Sequence, residues 1–286
     1  MPPKRTSAAG RVTAKSAAAA PAGVANGDKP EYRVEALAKG LRLLSLFDEQ
    51  RPTWRVTDMA TAAGLPVPTV YRVVMTLTAE GYLDHLPNGD YRPGVKTLTL
   101  GTAALRSLDL VALARPKLEQ LGETTRETVN LAVLTGDRVL YLVRLRNSDL
   151  VTANIQVGST LPAVTTSIGK LLLAYLSDAE LAERITPQSF AAQHGPNAKV
   201  SLDELREELA KIREQGWAMQ DEELAYGLRS VAGPIVGSDG RVVAGVNLAV
   251  QARDWSNQRI VRELRPAVLE TCEEISALLT EGSIAG

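Results

Sequence analysis

Cysteine occurs once in the 286 residues, at Cys272, and histidine twice, at His85 and His194. A lone thiol closes no internal disulfide, and two histidines leave too few ligands for a structural zinc site, so metal- and disulfide-built architectures are excluded. No apolar run approaches the roughly 18 to 20 residues that span a bilayer, and the Ala-rich start SAAAAPAG lacks the bulky apolar core of a signal peptide. The expectation is a soluble, cytoplasmic chain with no membrane partner. Neither sign of charge dominates, since the net charge is −1. Its distribution is uneven, however. Residues 1–30 carry five basic side chains against one acidic, residues 31–100 are balanced at eight of each, and the remainder holds 19 basic and 24 acidic. A basic leader on a neutral N-terminal region is compatible with nucleic acid, whereas an acidic C-terminal half is poorly suited to lie along phosphates.

What is present is an ordinary globular composition, 45% hydrophobic and 23% charged, on a chain long enough for two domains. Residues 1–30 hold almost no large apolar side chain and read as a disordered basic tail, a solvated leader rather than a DNA-contacting arm. Order is expected from Glu31. Val34, Leu37, Leu41, Leu44 and Phe47 recur at spacings of three and four, predicting an amphipathic helix that ends before Pro52. After a β-prone Thr53 to Val56, Thr57 is placed as the N-cap of a helix stopped at Gly64. Pro68 suits the first turn of a third helix, whose stripe Val70, Val73, Val74 and Leu77 runs until Gly81. Tyr82 to Leu86 and Tyr91 to Pro93 flank Pro87-Asn88-Gly89-Asp90, where Asn-Gly signals a two-residue hairpin turn. Three helices and a hairpin over residues 31–94 make a winged helix.

Within it, VTDMATAAGLPVPTVYRVVM (Val56 to Met75) has the layout of a helix-turn-helix: small Ala60 where helices nearly touch, Gly64 at the turn, Val70 and Val73 packing the second helix onto the first. With those valines inward, Val67, Pro68, Thr69, Arg72, Met75 and Thr76 face out with Tyr71 at the edge. The candidate contacts to double-stranded DNA are Thr57, Val67, Pro68, Thr69, Tyr71, Arg72 and, on the wing, Arg92, with Arg72 near bases and Arg92 and Thr57 near the backbone.

Residues 95–108 read as a linker helix. Its Leu98, Leu105 and Leu108 stand near heptad spacing, and serve either to pair two DNA-binding domains over a palindromic or repeated operator or to pack on helix one of the same chain. Residues 109–286 show an α+β pattern: a helix from Leu110 to Arg126 interrupted at Arg115-Pro116, a hairpin of Val129 to Leu134 and Val139 to Leu145, helices at Ser167 to Leu176, Asp178 to Ile185 and Leu202 to Gln215, a hairpin of Leu228 to Val236 and Val242 to Val250, and a long helix from Asn257 to Leu279. Cys272 falls on the apolar stripe of that last helix, as a buried thiol and not a nucleophile. Asn247, between Val246 and Leu248, points its amide to solvent or into a cavity.

The segments EALAKGLRLLSLFDE, GLPVPTVYRVV, the wing ending YRPG, LPAVTTSIGKLLLA, DEELAYGLRSVAGPI and GRVVAGVNLAV together resemble an IclR-family transcriptional regulator, in the family's order from about Arg33 to Leu279. LPAVTTSIGKLLLA suggests the aromatic-catabolism (β-ketoadipate pathway) group. The chain departs from the family at Pro66, Val67 and Pro68, where helix three commonly begins with a Ser N-cap. The resemblance implies an α+β two-domain fold, with a winged helix-turn-helix, a linker helix and a GAF-like or profilin-like effector domain, assembled as a homodimer or a dimer of dimers. It implies a small carboxylate effector, held by Ser167, Ile168 and Gly169 at a helix N-terminus, by Gln220, Ser230 and Asn247, and by apolar walls at Leu161, Ile168 and Ala249. An aromatic acid such as a hydroxybenzoate is the first expectation and a small aliphatic keto acid the second, with no Arg or Lys among the matched residues.

Enzymatic readings are weaker. Ser167-Ile168-Gly169-Lys170 is a Ser-x-x-Lys pattern, but Ser-Asp-Asn and Lys-Thr-Gly are absent and Lys170 is expected to be solvated. Val164 and Leu171 break a phosphate loop, and Asp221, Glu222 and Glu223 read as a solvated acidic run. The sequence thus indicates no catalytic residue, metal or cofactor. A ligand-responsive regulator of a catabolic operon is favoured over a constitutive DNA-binding protein, which has no need of a large acidic domain with a cavity.

Overall fold

The computed structural model describes residues 32–48, 51–106, 109–146, 155–191 and 195–284. The expected tail 1–30, together with Glu31, Leu108 and His194, lies outside the described residues, as does the side chain of Leu105. No helix among the described residues is long and apolar enough to cross a membrane.

The N-terminal unit is built from α1 (Glu35–Leu44), α2 (Val56–Ala63), α3 (Val67–Ala79), β1 (Leu83–His85) and β2 (Tyr91–Pro93) around Leu43, Met59, Ala60, Ala63, Val70, Val74, Leu83 and Tyr91. The turn between α2 and α3 needs its glycine, because Gly64 sits at φ +61°, a region costly for any residue with a Cβ. Pro68 enters in the first turn of α3, where its missing N–H breaks no helical bond. Strand β1 pairs antiparallel with β2, and an isolated bridge from Trp54 to Tyr91 extends the wing.

Details of this unit correct the sequence reading. Thr57 is not the N-cap: α2 begins one residue earlier, capped by Arg55 without a side-chain bond, and the Thr57 hydroxyl turns to Asp58 Oδ1 at 3.3 Å. In the wing, Leu86 N–H donates to Asp90 C=O and Gly89 N–H to Leu86 C=O, so Pro87 and Asn88 form the turn and Gly89, at φ +85°, follows it as a left-handed bulge residue. On α1 the apolar stripe is split: Val34, Leu37 and Leu41 are 62%, 61% and 56% exposed, while Leu44 and Phe47 pack against the core and Gly40 and Leu43 are buried. Val73 of α3 lies beside Gly40, so α3 packs on that side of α1.

Helix α4 (Val95–Arg106) leads to α5 (Asp109–Thr125), which is not interrupted at Pro116. The proline forfeits one backbone bond, but Ala114, Leu118 and Leu121 on the same helix are buried in the core, and that burial keeps the helix whole. Then follow β3 (Thr128–Thr135), β4 (Arg138–Leu145), β5 (Thr160–Pro162), α6 (Ser167–Ala174), α7 (Asp178–Arg184), α8 (Leu202–Gln215), β6 (Ala218–Asp221), β7 (Leu228–Val236), β8 (Val242–Gln251), α9 (Asn257–Arg259), a π-helical turn (Ile260–Leu264) and α10 (Arg265–Ile284). Pro266, one residue into α10, cannot donate to the Arg262 carbonyl, which accounts for the widened turn just before it.

The six strands form one antiparallel sheet in the order β5-β4-β3-β8-β7-β6. Strands β5 and β6, of three and four residues, are too short to leave a periodic signal and were not expected. One face carries Val129, Leu131, Val143, Val231, Val246, Leu248 and Val250 and packs on α5 and α10, where Cys272 is buried as expected. The other face carries Ala132, Tyr141 and Ala232 and packs on α6 and α8 through Ile168, Leu171, Leu205 and Leu209. Gly245 lets α6 lie close to the sheet, since a Cβ there would come within 2.9 Å of the Ile168 side chain.

Candidate functional site

The outward face of α3 is the one the valine stripe dictates. Val67, Pro68, Tyr71, Arg72, Met75 and Thr76 are exposed and Thr69 is half-buried, while Val70 and Val74 are fully buried against α2. Thr57 on α2 is exposed, and Arg92 on β2 is exposed with its guanidinium 3.2 Å from Asp84. These groups share the N-terminal unit and are free of core contacts, as a DNA-reading surface requires.

The second site lies on the sheet face beneath α6. Side chains of directly paired residues share a face, so register defines its floor. Arg144, Asn130, Asn247 and Ala232 form one row, and Thr128, Ala249, Ser230 and Gln220 the next. Ile168 and Leu171 cover the neighbouring row, where Gly245 makes room, and the polar rows are left facing a narrow cavity of about 20 Å³, partly open to solvent. Asn130, Arg144, Tyr141, Ile155, Thr166, Gln220, Leu224, Leu228, Ser230, Asn247 and Ala249 line it.

Of the residues expected from sequence, Gln220, Ser230, Asn247 and Ala249 stand on this wall. Ser167 lies just behind it, bonded to two of them. Leu161, Ile168 and Gly169 do not reach it. Leu161 pairs with Val139 on edge strand β5, Ile168 is core, and Gly169 is pressed against Ala163, whose carbonyl oxygen would lie 2.2 Å from an added Cβ. The α6 N-terminus is not an open set of donors either, because Thr166 caps it by accepting from Gly169 N–H at 3.0 Å.

Sequence reasoning missed Arg144, and with it a cation on a wall expected to have none. The cause is a β-bulge. Register shifts between Leu131 and Ala132, so that Ala132 pairs Tyr141, Leu131 pairs Val143 and Leu142 is the extra residue. Strict alternation puts Tyr141 and Val143 on one face and turns Arg144 to the other; the bulge re-aims Arg144 to the side of Tyr141.

The polar wall is a directed chain. Arg144 Nη1 donates to Asn130 Oδ1 at 3.1 Å, Asn130 Nδ2 to Asn247 Oδ1 at 2.8 Å, and Asn247 Nδ2 to Ser167 Oγ at 3.1 Å. Ser167 Oγ is 2.7 Å from Ser230 Oγ. Either hydroxyl of the Ser167–Ser230 pair can be the donor. Gln220 Oε1 accepts from Glu223 N–H at 3.0 Å, and its Nε2 is buried without a partner, as is Arg144 Nε. The unmet groups at the two ends of this wall are therefore donors. Desolvation, with Arg146 close by, lowers the Arg144 pKa, and burial pushes the Tyr141 phenol up to about 12.

Lys170 is not solvated. It is fully buried, and its ammonium is held by Glu208 of α8 and by Glu223, with Lys199 bonded to Glu208 at 3.1 Å. The Asp221-Glu222-Glu223 run is not a solvated one either. Asp221 accepts from Arg229 and Asn257, and Glu222, at φ +53°, accepts from Gly227 N–H. Glu223 ties this loop to α6. Among the described residues no cluster of His, Cys, Asp and Glu could hold a metal ion.

Comparison with known proteins agrees with this architecture. The profile of the bacterial transcriptional regulator IclR C-terminal domain matches residues 102–277, and that of the IclR helix-turn-helix domain matches residues 36–87. The HTH-type transcriptional regulator XynR of Escherichia coli is 32% identical over 217 residues, covering 76% of this chain and 86% of its own. The Pca regulon regulatory protein of Pseudomonas putida is 30% identical over 276 residues, 91% of each chain. An IclR family transcriptional regulator from Brucella abortus superposes with a TM-score of 0.75 at 26% identity, covering 87% of this chain and 94% of that one. An IclR homologue from Microbacterium hydrocarbonoxydans, crystallised with 4-hydroxybenzoate, gives a TM-score of 0.66 at 25% identity, covering 86% and 99%. The family is one of transcriptional regulators, not enzymes. The chain belongs to it: it is an IclR-family regulator, with a helix-turn-helix domain for DNA and an effector-binding domain for a small-molecule ligand.

Proposed function

We propose that the protein is a cytoplasmic, ligand-responsive regulator of a catabolic operon whose effector is a small monocarboxylate with a flat apolar body, such as a hydroxybenzoate. The observation that carries this reading is the cavity wall, where Gln220 Nε2 and Arg144 Nε are shut off from solvent without partners beside the Ser230 hydroxyl. Buried unpaired donors are costly until something accepts from them, and a carboxylate does so with charge as well as lone pairs. Tyr141, Ile155, Leu224, Leu228 and Ala249 supply the apolar sides. The Pca regulon relative and the 4-hydroxybenzoate-bound homologue support an aromatic acid over an aliphatic keto acid.

In this reading residues 31–94 bind DNA through Arg72, Arg92, Thr57 and the exposed start of α3, residues 95–108 link, and residues 109–286 sense the effector. The chain works as a homodimer or a dimer of dimers on a palindromic or repeated operator. The outward stripe Val34, Leu37 and Leu41, with exposed Val95, Leu98 and Leu100 on α4, supports pairing of DNA-binding units. The test is thermal-shift screening of the full chain against aromatic and aliphatic acids, followed by operator binding with and without the acid that stabilises it. The reading requires one acid to raise the melting temperature and to change the affinity for DNA. A monomer by light scattering at micromolar concentration refutes the assembly.

A further inference from the structure

We propose, resting on the reading of the cavity as the effector site, that Arg144 is the residue that selects for a carboxylate, and that Gln220 with Ser230 grips a second, uncharged oxygen at the other end of the same ligand.

Three observations carry this. The first is charge. Arg144 is half-buried, its Nε reaches neither solvent nor a partner, and its bond to Asn130 is to a neutral amide oxygen. No carboxylate among the described residues pairs with it. Arg146 stands nearby, and both arginines line an open depression beside the cavity together with Ile155, Gln156 and Val157. The approach to the cavity is thus cationic on this side, and an anion arriving there supplies the missing counter-charge.

The second is direction. Asn130 Oδ1, Asn247 Oδ1, Ser167 Oγ and Gln220 Oε1 each accept from a protein group, whereas Arg144 Nε on β4 and Gln220 Nε2 on β6 have no acceptor. An acid with a further oxygen supplies an acceptor at each end.

The third is separation. Arg144 is on β4 and Gln220 on β6, with β3, β8 and β7 between them. Four strand spacings of roughly 4.8 Å put their backbones about 19 Å apart along the sheet, shortened by its curl and by both side chains reaching inward. One small carboxylate cannot bridge that span. Gln220 and Ser230 are direct cross-strand partners, so the unpartnered Gln220 amide and the Ser230 hydroxyl form a single grip at the far end. The ligand class that fits is an elongated monoacid with a hydroxyl or oxo group remote from the carboxylate, para in an aromatic ring rather than ortho.

Calorimetry on the full-length protein with 4-hydroxybenzoate, 2-hydroxybenzoate, benzoate, 4-hydroxybenzamide and pyruvate tests this. Arg144→Gln should weaken 4-hydroxybenzoate and benzoate alike by about 10- to 100-fold, the scale of a charged hydrogen bond, and leave 4-hydroxybenzamide unchanged. Arg144→Lys should recover part of the loss, which separates charge recognition from misfolding. Ser230→Ala should weaken 4-hydroxybenzoate several-fold without affecting benzoate. If the native protein binds these acids and Arg144→Gln binds them equally well, Arg144 is not the selector, while the effector reading stands. Equal affinity of the native protein for the 2- and 4-hydroxy isomers overturns the far-end grip. If the native protein binds none of the acids, the effector reading fails and this proposal with it.

Discussion

Replacing Lys170 by Met tests whether the buried ion cluster holds the effector domain together. Met fills similar volume without charge, so packing is largely kept and the electrostatics are isolated. The Lys170 side chain has no exposure, and its two carboxylate partners differ: Glu223 is 5% exposed and Glu208 22%. Glu208 keeps Lys199 at 3.1 Å after the change, but Glu223 keeps only the more distant pull of Lys199 and no bonded cation, and its Oε2 is already buried without a partner. Removing one member of a buried pair leaves an uncompensated charge at a cost of about 3 to 5 kcal/mol. The deep burial of Glu223 puts Lys170→Met within that range. Desolvation already raises the Glu223 pKa against the pull of Lys170, whereas for Glu208 desolvation is outweighed by Lys170 and Lys199 and its pKa is lowered. Glu223→Gln should therefore cost under about 1 kcal/mol, because the amide oxygen still accepts from Lys170 and no ionised carboxyl needs burying. The pH dependence follows from the raised value. The contribution of Glu223 is present below its ordinary value of 4.5 and is lost as pH rises through the higher folded-state value, a loss that Glu223→Gln should not share. Urea unfolding followed by the fluorescence of Trp217 and Trp255, both in the effector domain, measures these differences. In Lys170→Met with Glu223→Gln, most of the single-variant loss should return. A loss below about 1 kcal/mol in Lys170→Met, or a double variant no better than the single, refutes the view that this cluster is electrostatically critical.

Further outcomes are as definite. Arg72→Ala should weaken binding to the specific operator by about 1 to 3 kcal/mol, while Arg92→Ala should lower affinity for all sequences at fixed salt; native-like binding by both variants places the docking face elsewhere. Gly169→Ala sets a Cβ 2.2 Å from a backbone oxygen of Ala163 and 2.4 Å from its Cα, atoms that cannot swing aside, so the variant should unfold several degrees lower or fail to accumulate. Cys272 is fully buried with its thiol pushed up to about 12, so maleimide labelling at pH 8 should proceed only through unfolding and should speed up with urea in step with the loss of fluorescence signal.

The parts of the molecule legible in the sequence are those governed by local rules. Gly64 and Pro68 mark the helix-turn-helix because a left-handed turn and a helix N-terminus constrain the chain within a few residues, and the inward valines of α3 then fix which side chains face out. Periodicity read α1 as a helix but not which of its apolar residues are covered, because that depends on where α3 packs, here beside Gly40 and Leu43, which leaves Leu37 and Leu41 outside. Lys170 shows the same limit in electrostatic form. A lysine in the first turn of a helix reads as solvated, and only α8 and the loop after β6, 38 and 53 residues away, turn it into a buried cation.

The cavity proposed for the effector joins the two kinds of information. Ser230, Asn247 and Gln220 came to the pocket through the resemblance to the family, and the register of β6, β7 and β8 puts them on one face. Arg144 lies beyond a bulge at Leu142, which carries no mark in composition and reverses the alternation for the rest of β4. The same irregularity determines the chemistry of the cavity. Without it Val143 takes the place of Arg144 opposite Asn130, the donor chain through Asn247 and Ser167 loses its charged origin, and the wall becomes a neutral polar surface. With it, one inserted residue gives the cavity a cation at one end, while at the other end Gln220 and Glu223 form a hydrogen-bonded link to the Lys170 cluster. A ligand that fills both ends therefore touches both β4 and the loop that Lys170 anchors. That gives effector binding a physical route to α6 and α8 which a ligand held at one end alone does not have.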